Sequence, residues 1–313
     1  MPGFEFLSLL LSGYVRVYYK KITIFRTIKS KLIALFFKHI DYRFLLCISE
    51  KYCFLFGKSY GLNNSFRQTH YNVLGLQSTT THFFCVMRQK ILKNALVNEN
   101  KQLLEQLEAC AAKIRSYIDA NNISSHLIFA PLHTVSDILQ TVIAAQVTGK
   151  PVVVVSVHNS MQSLHEKQNN NSQGISIEQF NPEAMEGNEG NSLQDIIFSL
   201  VENQKNLVIF PDALPECTTR LTKKKMKTFP VRLLERSCEL HSGLPVFSRL
   251  LKQSTLFYCI KLDDKNNLNI DILDCVDHRK IEKKMPELVE QGICRYNNEW
   301  TLWHYTSFFS YNF

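Results

Sequence analysis

The fold prediction starts from one stretch of the chain, Leu127-Ile128-Phe129-Ala130-Pro131-Leu132-His133-Thr134-Val135-Ser136-Asp137. Its first residues form a short apolar run that is typical of a buried strand, and a histidine and an aspartate follow. A second apolar run, Leu207-Val208-Ile209-Phe210, ends abruptly at Pro211-Asp212 about eighty positions later. Two buried strands that each end near a titratable side chain predict an active-site cleft beyond the strand ends.

Short β-branched runs alternate with helical stretches from residue 126 onwards, which predicts an α/β fold with a largely parallel central sheet flanked by helices. The valine run Val152–Val155 is expected of a strand that is buried on both faces. The predicted strands are Leu127–Ala130, Val152–Val157, Leu207–Phe210, Val246–Leu250, Leu256–Leu262 and Leu268–Leu273. The predicted helices are Val135–Val147, Leu193–Glu202, Thr228–Leu240 and Lys280–Gln291.

The N-terminal third is basic and differs in character from the rest of the chain. Residues 1–100 hold 14 Lys and Arg against 4 Asp and Glu, so they carry more than the whole net charge of +8. Residues 28–40 place apolar side chains at helical spacing with cations between them, which predicts a basic amphipathic helical arm for a membrane interface. A core-packing helix with a solvated basic face is the alternative. We therefore divide the chain into an N-terminal region, residues 1–98, and an α/β domain, residues 99–313.

Other parts of the chain give further predictions. Residues 61–82 are polar and predict a loop, residues 86–119 predict helix, and residues 158–190 predict a surface loop at the ligand edge of the sheet. The apolar stretch 4–15 is only about a dozen residues long, whereas a spanning helix needs about 20. Its flanking charges also do not fit a secretory signal. Nine scattered cysteines without a Cys-x-x-Cys pair predict reduced thiols and neither a disulfide framework nor a metal site.

His133 and Asp137 are the predicted catalytic pair. The aspartate would hold one ring nitrogen of the histidine and leave the other nitrogen as a general base. Such a base deprotonates an acceptor hydroxyl or amine as it attacks a thioester. The alternative is structural: Asp137 would stabilise the helix N-terminus electrostatically, and His133 would cap a strand.

Three further groups of residues are candidates for substrate binding. Asp212, fixed by the proline turn, would bind an acceptor hydroxyl or position a cation, and an ordinary strand-ending turn is the alternative. Residues 218–227 combine threonines with cations that suit phosphate, and a solvated charged face is the alternative reading. The candidates there are Arg220, Lys223 and Lys224. The aromatic cluster that contains Trp300 and Trp303 predicts packing against the domain, with an interfacial membrane contact as the alternative.

In this order and spacing, the elements resemble the lysophospholipid and glycerolipid acyltransferase superfamily. Within it, they resemble most the bacterial lipid A lauroyl- and myristoyltransferases. The matching features are the basic N-terminal region, the strand that leads to His133 and its acid, the Phe210-Pro211-Asp212 turn and the tail Glu299-Trp300 through Trp303-His304. The chain has three residues between His133 and Asp137 where the family has four, and it lacks the family's later arginine and Phe-Phe-Gly segment.

The resemblance implies transfer of a fatty acyl group from acyl carrier protein or acyl-CoA to a hydroxyl or amine of a lipid or glycolipid-type acceptor. It implies a peripheral protein on an anionic membrane surface, at the cytoplasmic face of the inner membrane, without a cofactor. Nucleic acid is not an expected partner, because the aromatic, leucine-rich N-terminal region suits lipid better. The oligomeric state stays open. The alternatives are another family with a His-x-x-x-Asp motif, and a catalytically inactive binding protein on the same fold.

Overall fold

The computed structural model describes residues 23, 25–56, 61–124, 126–155, 177–180, 193–213, 215, 218 and 226–304. This part of the chain is a mixed α/β structure. Residues 25–39 are helical. The helices that follow are α1 (Tyr42–Phe56), α2 (Gly61–Leu74), α3 (His82–Val97), α4 (Lys101–Ala120), α5 (Asp137–Thr148), α6 (Leu193–Val201), α7 (Gly243–Leu251) and α8 (Ile281–Arg295). Its strands are β1 (Leu127–Pro131), β2 (Val152–Val155), β3 (Ile177–Phe180), β4 (Asn206–Val208), β5 (Thr228–Leu233), β6 (Arg236–His241), β7 (Ser254–Leu262) and β8 (Leu268–Val276).

The described strands form a central sheet with the order β3-β2-β4-β1-β7-β8. Every neighbouring pair is parallel except β7 and β8, which are antiparallel. The predicted α/β fold with a largely parallel sheet is thus confirmed. Strands β5 and β6 form a separate antiparallel hairpin.

Helices cover both faces of the sheet, which explains the uninterrupted apolar runs of its strands. In β1, Phe129 belongs to one apolar cluster, whereas Ile128 and Ala130 belong to the cluster on the other face. Successive side chains of a strand point to opposite faces, so a strand covered on both sides needs apolar residues at every position. All five residues of β1 are buried. The central strand therefore gives a rigid base for the residues that follow it.

The predicted loop over residues 61–82 is wrong, because α2 occupies much of it. Its polar residues are used in tertiary contacts that the local sequence does not show. The buried Asn63 accepts a hydrogen bond from the backbone N–H of Phe83 with its side-chain oxygen, at 2.9 Å. Nε2 of the buried His70 lies 3.2 Å from the side-chain oxygen of Asn297. Helix α3 then begins after Thr81, whose side chain accepts from the N–H of Phe84 as an N-cap.

The predicted helix Thr228–Leu240 is also wrong, because the segment forms the hairpin of β5 and β6. The chain reverses at Leu234 and Glu235, whose φ angles are 51° and 62°. Two consecutive positive φ values are typical of a tight hairpin turn that usually contains glycine or asparagine. This turn lacks both residues, and a hydrogen bond from the Leu234 N–H to Glu290 Oε2, at 2.8 Å, holds it instead.

The predicted strand Val246–Leu250 is wrong as well, because these residues belong to α7. Leu244 and Ser248 are buried, while Val246 and Leu250 are exposed. The spacing of the buried residues is helical, and the short apolar run hides this period. Among the described residues, the helices lack the combined length and apolar character that crossing a bilayer requires.

Candidate active site

The ends of strands β1 and β4 bring His133 and Asp212 together. The two strands are parallel neighbours, with Ile128 opposite Leu207 and Phe129 opposite Val208. Carboxyl ends of parallel neighbours lie at the same edge of a sheet, where ligands usually bind in folds of this class. His133 follows β1 and Asp212 follows β4, so residues 79 positions apart in sequence meet at that edge.

Asp212 is the carboxylate that holds the His133 ring. Its side chain has no exposed surface, and its Oδ1 lies 2.8 Å from His133 Nδ1. Its Oδ2 accepts two further hydrogen bonds, from the His133 backbone N–H at 2.9 Å and from the Trp300 indole N–H at 2.7 Å. A carboxylate can only accept hydrogen bonds, so the imidazole Nδ1 carries the proton of this contact. That assignment leaves Nε2 as the nitrogen that can take a proton from a substrate.

Asp137 lies on the other side of the ring. Its Oδ2 is 3.9 Å from His133 Nε2, and its side chain is 34% exposed while that of His133 is 16% exposed. The sequence predicts that Asp137 orients the imidazole from a shared helical turn. The structure differs, because α5 begins at Asp137 itself and His133 lies in the preceding turn. Asp212 occupies the orienting position, and Asp137 lies beside the opposite nitrogen of the ring, Nε2.

The two carboxylates set the protonation of His133. Burial alone lowers the pKa of the imidazole, since it disfavours the charged form. The negative charges of Asp212 and Asp137, together with the hydrogen bond to Asp212, outweigh burial and raise the pKa to about 9. The raised pKa favours the positively charged form of the ring at neutral pH. Its neutral form, which alone acts as a base, grows as the pH rises towards 9.

The backbone around His133 is strained. Two consecutive three-residue turns occur here, with Thr134 N–H donating to the Leu132 carbonyl at 2.6 Å and Ser136 N–H donating to the Thr134 carbonyl at 2.5 Å. Val135, the central residue of the second turn, has a φ angle of 54°. A β-branched residue rarely adopts positive φ, because its side chain clashes with the backbone. Strained backbone of this kind is concentrated at functional sites.

Buried side chains and neighbouring backbone hold the strained turn in place. The buried Gln140 donates from Nε2 to the carbonyls of Leu132, at 2.6 Å, and Thr134, at 3.1 Å. The Thr134 hydroxyl in turn accepts from the N–H of Ile260 in β7, at 3.2 Å. These contacts fix the position of His133, and a fixed position is what a general base would require.

An aromatic ring supports the imidazole from one face. The rings of Phe210 and His133 lie 4.5 Å apart between centroids, at an angle of 36°. Phe210 is buried, and it lies in the same turn as Asp212. The turn after β4 thus supplies both the carboxylate on the ring edge and the aromatic contact on the ring face.

The remaining site predictions have different outcomes. Asp212 is predicted from the sequence to bind substrate, but its buried side chain points its carboxylate at His133 and Trp300. Arg220, Lys223 and Lys224 lie outside the described residues. The predicted packing role of Trp300 and Trp303 is confirmed, since both are fully buried, and the alternative of an interfacial membrane contact is wrong for them.

Sequence reasoning missed the hydrogen bond from Trp300 to Asp212. A buried indole N–H needs a hydrogen-bond acceptor, but no feature of the sequence near Trp300 indicates which residue accepts.

The chain matches no protein-family model, and it has no match among the curated proteins. The geometry of the site is therefore the basis for a functional proposal.

Proposed function

We propose that the protein is an acyltransferase that moves a fatty acyl group from a thioester donor to a hydroxyl or amine of a lipid or glycolipid-type acceptor. The donor is acyl carrier protein or acyl-CoA. One observation carries the proposal: the imidazole of His133 is held through Nδ1 by the buried Asp212, so that Nε2 is left as the accepting nitrogen. This is the arrangement of an oriented general base.

The reaction follows from the two nitrogens. The neutral ring takes the acceptor proton on Nε2 while the acceptor oxygen or nitrogen forms a bond to the thioester carbonyl carbon. The tetrahedral intermediate then collapses, the carbon–sulfur bond breaks, and the imidazolium returns the proton to the leaving thiolate. Asp212 stabilises the imidazolium between these steps, and Asp137 adds a second negative charge 3.9 Å from Nε2.

The N-terminal helices support a location at an anionic membrane surface. Residues 25–39 are helical, and they expose both cations and large apolar side chains. The exposed apolar residues there include Phe25, Ile28, Leu32, Leu35 and Phe36. Exposed apolar surface next to cations is typical of helices that lie in the headgroup region of anionic bilayers. We place the protein peripherally on the cytoplasmic face of the inner membrane, where acyl thioesters are available.

The decisive experiment measures thiol release from long-chain acyl carrier protein and acyl-CoA, with lysophospholipid and lipid A-type glycolipid acceptors. His133→Ala is expected to reduce the acceptor-dependent rate by about 10²-fold or more, because it removes the base. The matched control is His278→Ala, which removes another partly exposed histidine beside a carboxylate, Asp277. This control is expected to keep the wild-type rate.

Two results would contradict the proposal. Wild-type turnover in His133→Ala would remove this residue from the mechanism. A wild-type protein that consumes neither donor with any acceptor class would favour the catalytically inactive alternative. A preference for carrier-bound aminoacyl donors over long fatty chains would point instead to another family with a His-x-x-x-Asp motif.

A further inference from the structure

Trp300 is linked to the proposed base through one shared carboxylate. Its indole N–H donates to Asp212 Oδ2 at 2.7 Å, and both side chains have no exposed surface. The other oxygen of the same carboxylate contacts His133 Nδ1. A hydrogen bond from a donor to a buried charged group is among the stronger ones in proteins.

The segment around Trp300 also forms hydrogen bonds with the backbone around His133. The Thr301 N–H and hydroxyl both donate to the His133 carbonyl, at 2.9 and 3.1 Å. The Val135 N–H donates to the Glu299 carbonyl at 3.1 Å, and Thr134 pairs with Trp300 as an antiparallel bridge. Residues 299–301 therefore bind both sides of the strained turn that carries His133.

We propose that Trp300 is a positioning residue that acts on His133 through Asp212. Oδ2 receives two N–H donors, from Trp300 and from the His133 backbone, so the carboxylate cannot rotate and Oδ1 remains for the ring. This inference rests on the proposed role of His133 as the base. It assigns to the end of the described chain a function in the site beyond packing.

The indole N–H also stabilises the negative charge of Asp212 through its hydrogen bond to Oδ2. Without this donor, the negative charge of Asp212 is less stabilised and holds the imidazolium proton more tightly. The pKa of His133 should then rise further, and less of the neutral base should be present at pH 7. A residue that only fills space would not change this pKa in a defined direction.

The test replaces Trp300 with phenylalanine, which keeps an aromatic ring and removes the donor. The matched control is Trp303→Phe, since Trp303 is also fully buried and its indole N–H donates elsewhere, to the Asn297 carbonyl at 2.7 Å. The pKa of His133, followed by NMR, is expected to rise by about half a unit or more in Trp300→Phe, as one lost hydrogen bond to a charged group allows. Trp303→Phe should leave it within about 0.2 units of the wild-type value.

A second measurement uses the unmodified protein, in case Trp300→Phe does not fold. The indole proton resonance of Trp300 is expected to move with the titration of His133, because both groups share Asp212, whereas that of Trp303 should not follow it. An unshifted pKa in Trp300→Phe, or a Trp300 resonance that ignores the titration, would overturn the inference. Absence of acyl transfer in the wild-type protein would overturn the proposed function instead, since neither NMR result requires turnover.

Discussion

At the scale of single residues, two carboxylates lie on either side of the His133 ring and have different effects on it. Asp212 is fully buried and bonds Nδ1, whereas Asp137 is partly exposed and lies 3.9 Å from Nε2. Both charges raise the pKa of the ring, but only Asp212 fixes its orientation. The two positions therefore predict different consequences when each carboxylate is replaced by an amide.

Asp137→Asn removes one of the charges that raise the pKa of His133 from 6.5 to about 9. The pKa is expected to fall, and the neutral base then forms at lower pH. Because activity requires the neutral ring, the rise of kcat/KM with pH should move towards neutral pH in this variant. The measurement is the pH profile of acyl transfer, with Asp277→Asn beside His278 as the matched control. A profile that matches the wild-type one would show that Asp137 does not act on the ring.

The sequence predicts the members of this site but not their partners. His133, Asp137 and Asp212 are predicted because they follow buried apolar runs, and ligands bind beyond the carboxyl ends of the strands in sheets of this class. Their pairing depends on β1 and β4 being neighbours, which no local pattern shows. Trp300 lies 88 positions from Asp212, and only the fold brings its indole N–H to that carboxylate.

At the scale of elements, α1 is apolar on two opposite faces. Tyr42, Leu46 and Cys53 are buried. The opposite face exposes four apolar side chains at helical spacing, which we call the α1 stripe: Phe44, Ile48, Tyr52 and Leu55. A helix that packs on a domain normally presents a polar outer face. Exposed apolar surface of this kind marks a contact with a partner or a membrane.

We expect the α1 stripe to insert into the headgroup region of an anionic bilayer. Replacing Phe44 and Ile48 together by serine should weaken binding to phosphatidylglycerol-containing vesicles by tenfold or more. Burial of each such side chain contributes about 1.5–3 kcal/mol, and a tenfold change requires about 1.4 kcal/mol. Vesicle co-sedimentation measures the effect. The matched control replaces Phe198 and Val201 of α6, which are also exposed, and should bind as the wild type. Equal losses in both double variants would contradict this orientation.

Each element that sequence patterns misread has its own physical reason. The hairpin turn at Leu234 and Glu235 adopts positive φ without glycine or asparagine, so its usual signal is absent. Helix α2 buries polar residues that find partners elsewhere in the fold, and its composition therefore resembles a loop. Short runs such as Val246–Leu250 fit a strand and a helix equally well, and only burial shows the helical period.

At the scale of the whole molecule, the alternation of apolar runs and helical stretches is sufficient to predict the α/β class. The parallel sheet follows from it, because each parallel connection needs a crossover. The strand order does not follow from the alternation, since it depends on tertiary packing. Residues of α1 and α3, such as Tyr42 and Leu92, share an apolar cluster with Phe129 of the sheet. The division between the N-terminal region, residues 1–98, and the α/β domain, residues 99–313, remains a prediction.

The tautomer of neutral His133 tests the proposed base most directly, and it requires no knowledge of the acceptor. Ring ¹⁵N chemical shifts, measured above the pKa of about 9 and assigned with His133→Gln, distinguish the two tautomers. The proposal predicts a proton on Nδ1, held by Asp212, and a bare Nε2. Asp212→Asn serves as the control, because an amide no longer requires the proton on Nδ1. A wild-type ring that carries its proton on Nε2 would contradict the proposal, since that nitrogen could not accept a proton from a substrate.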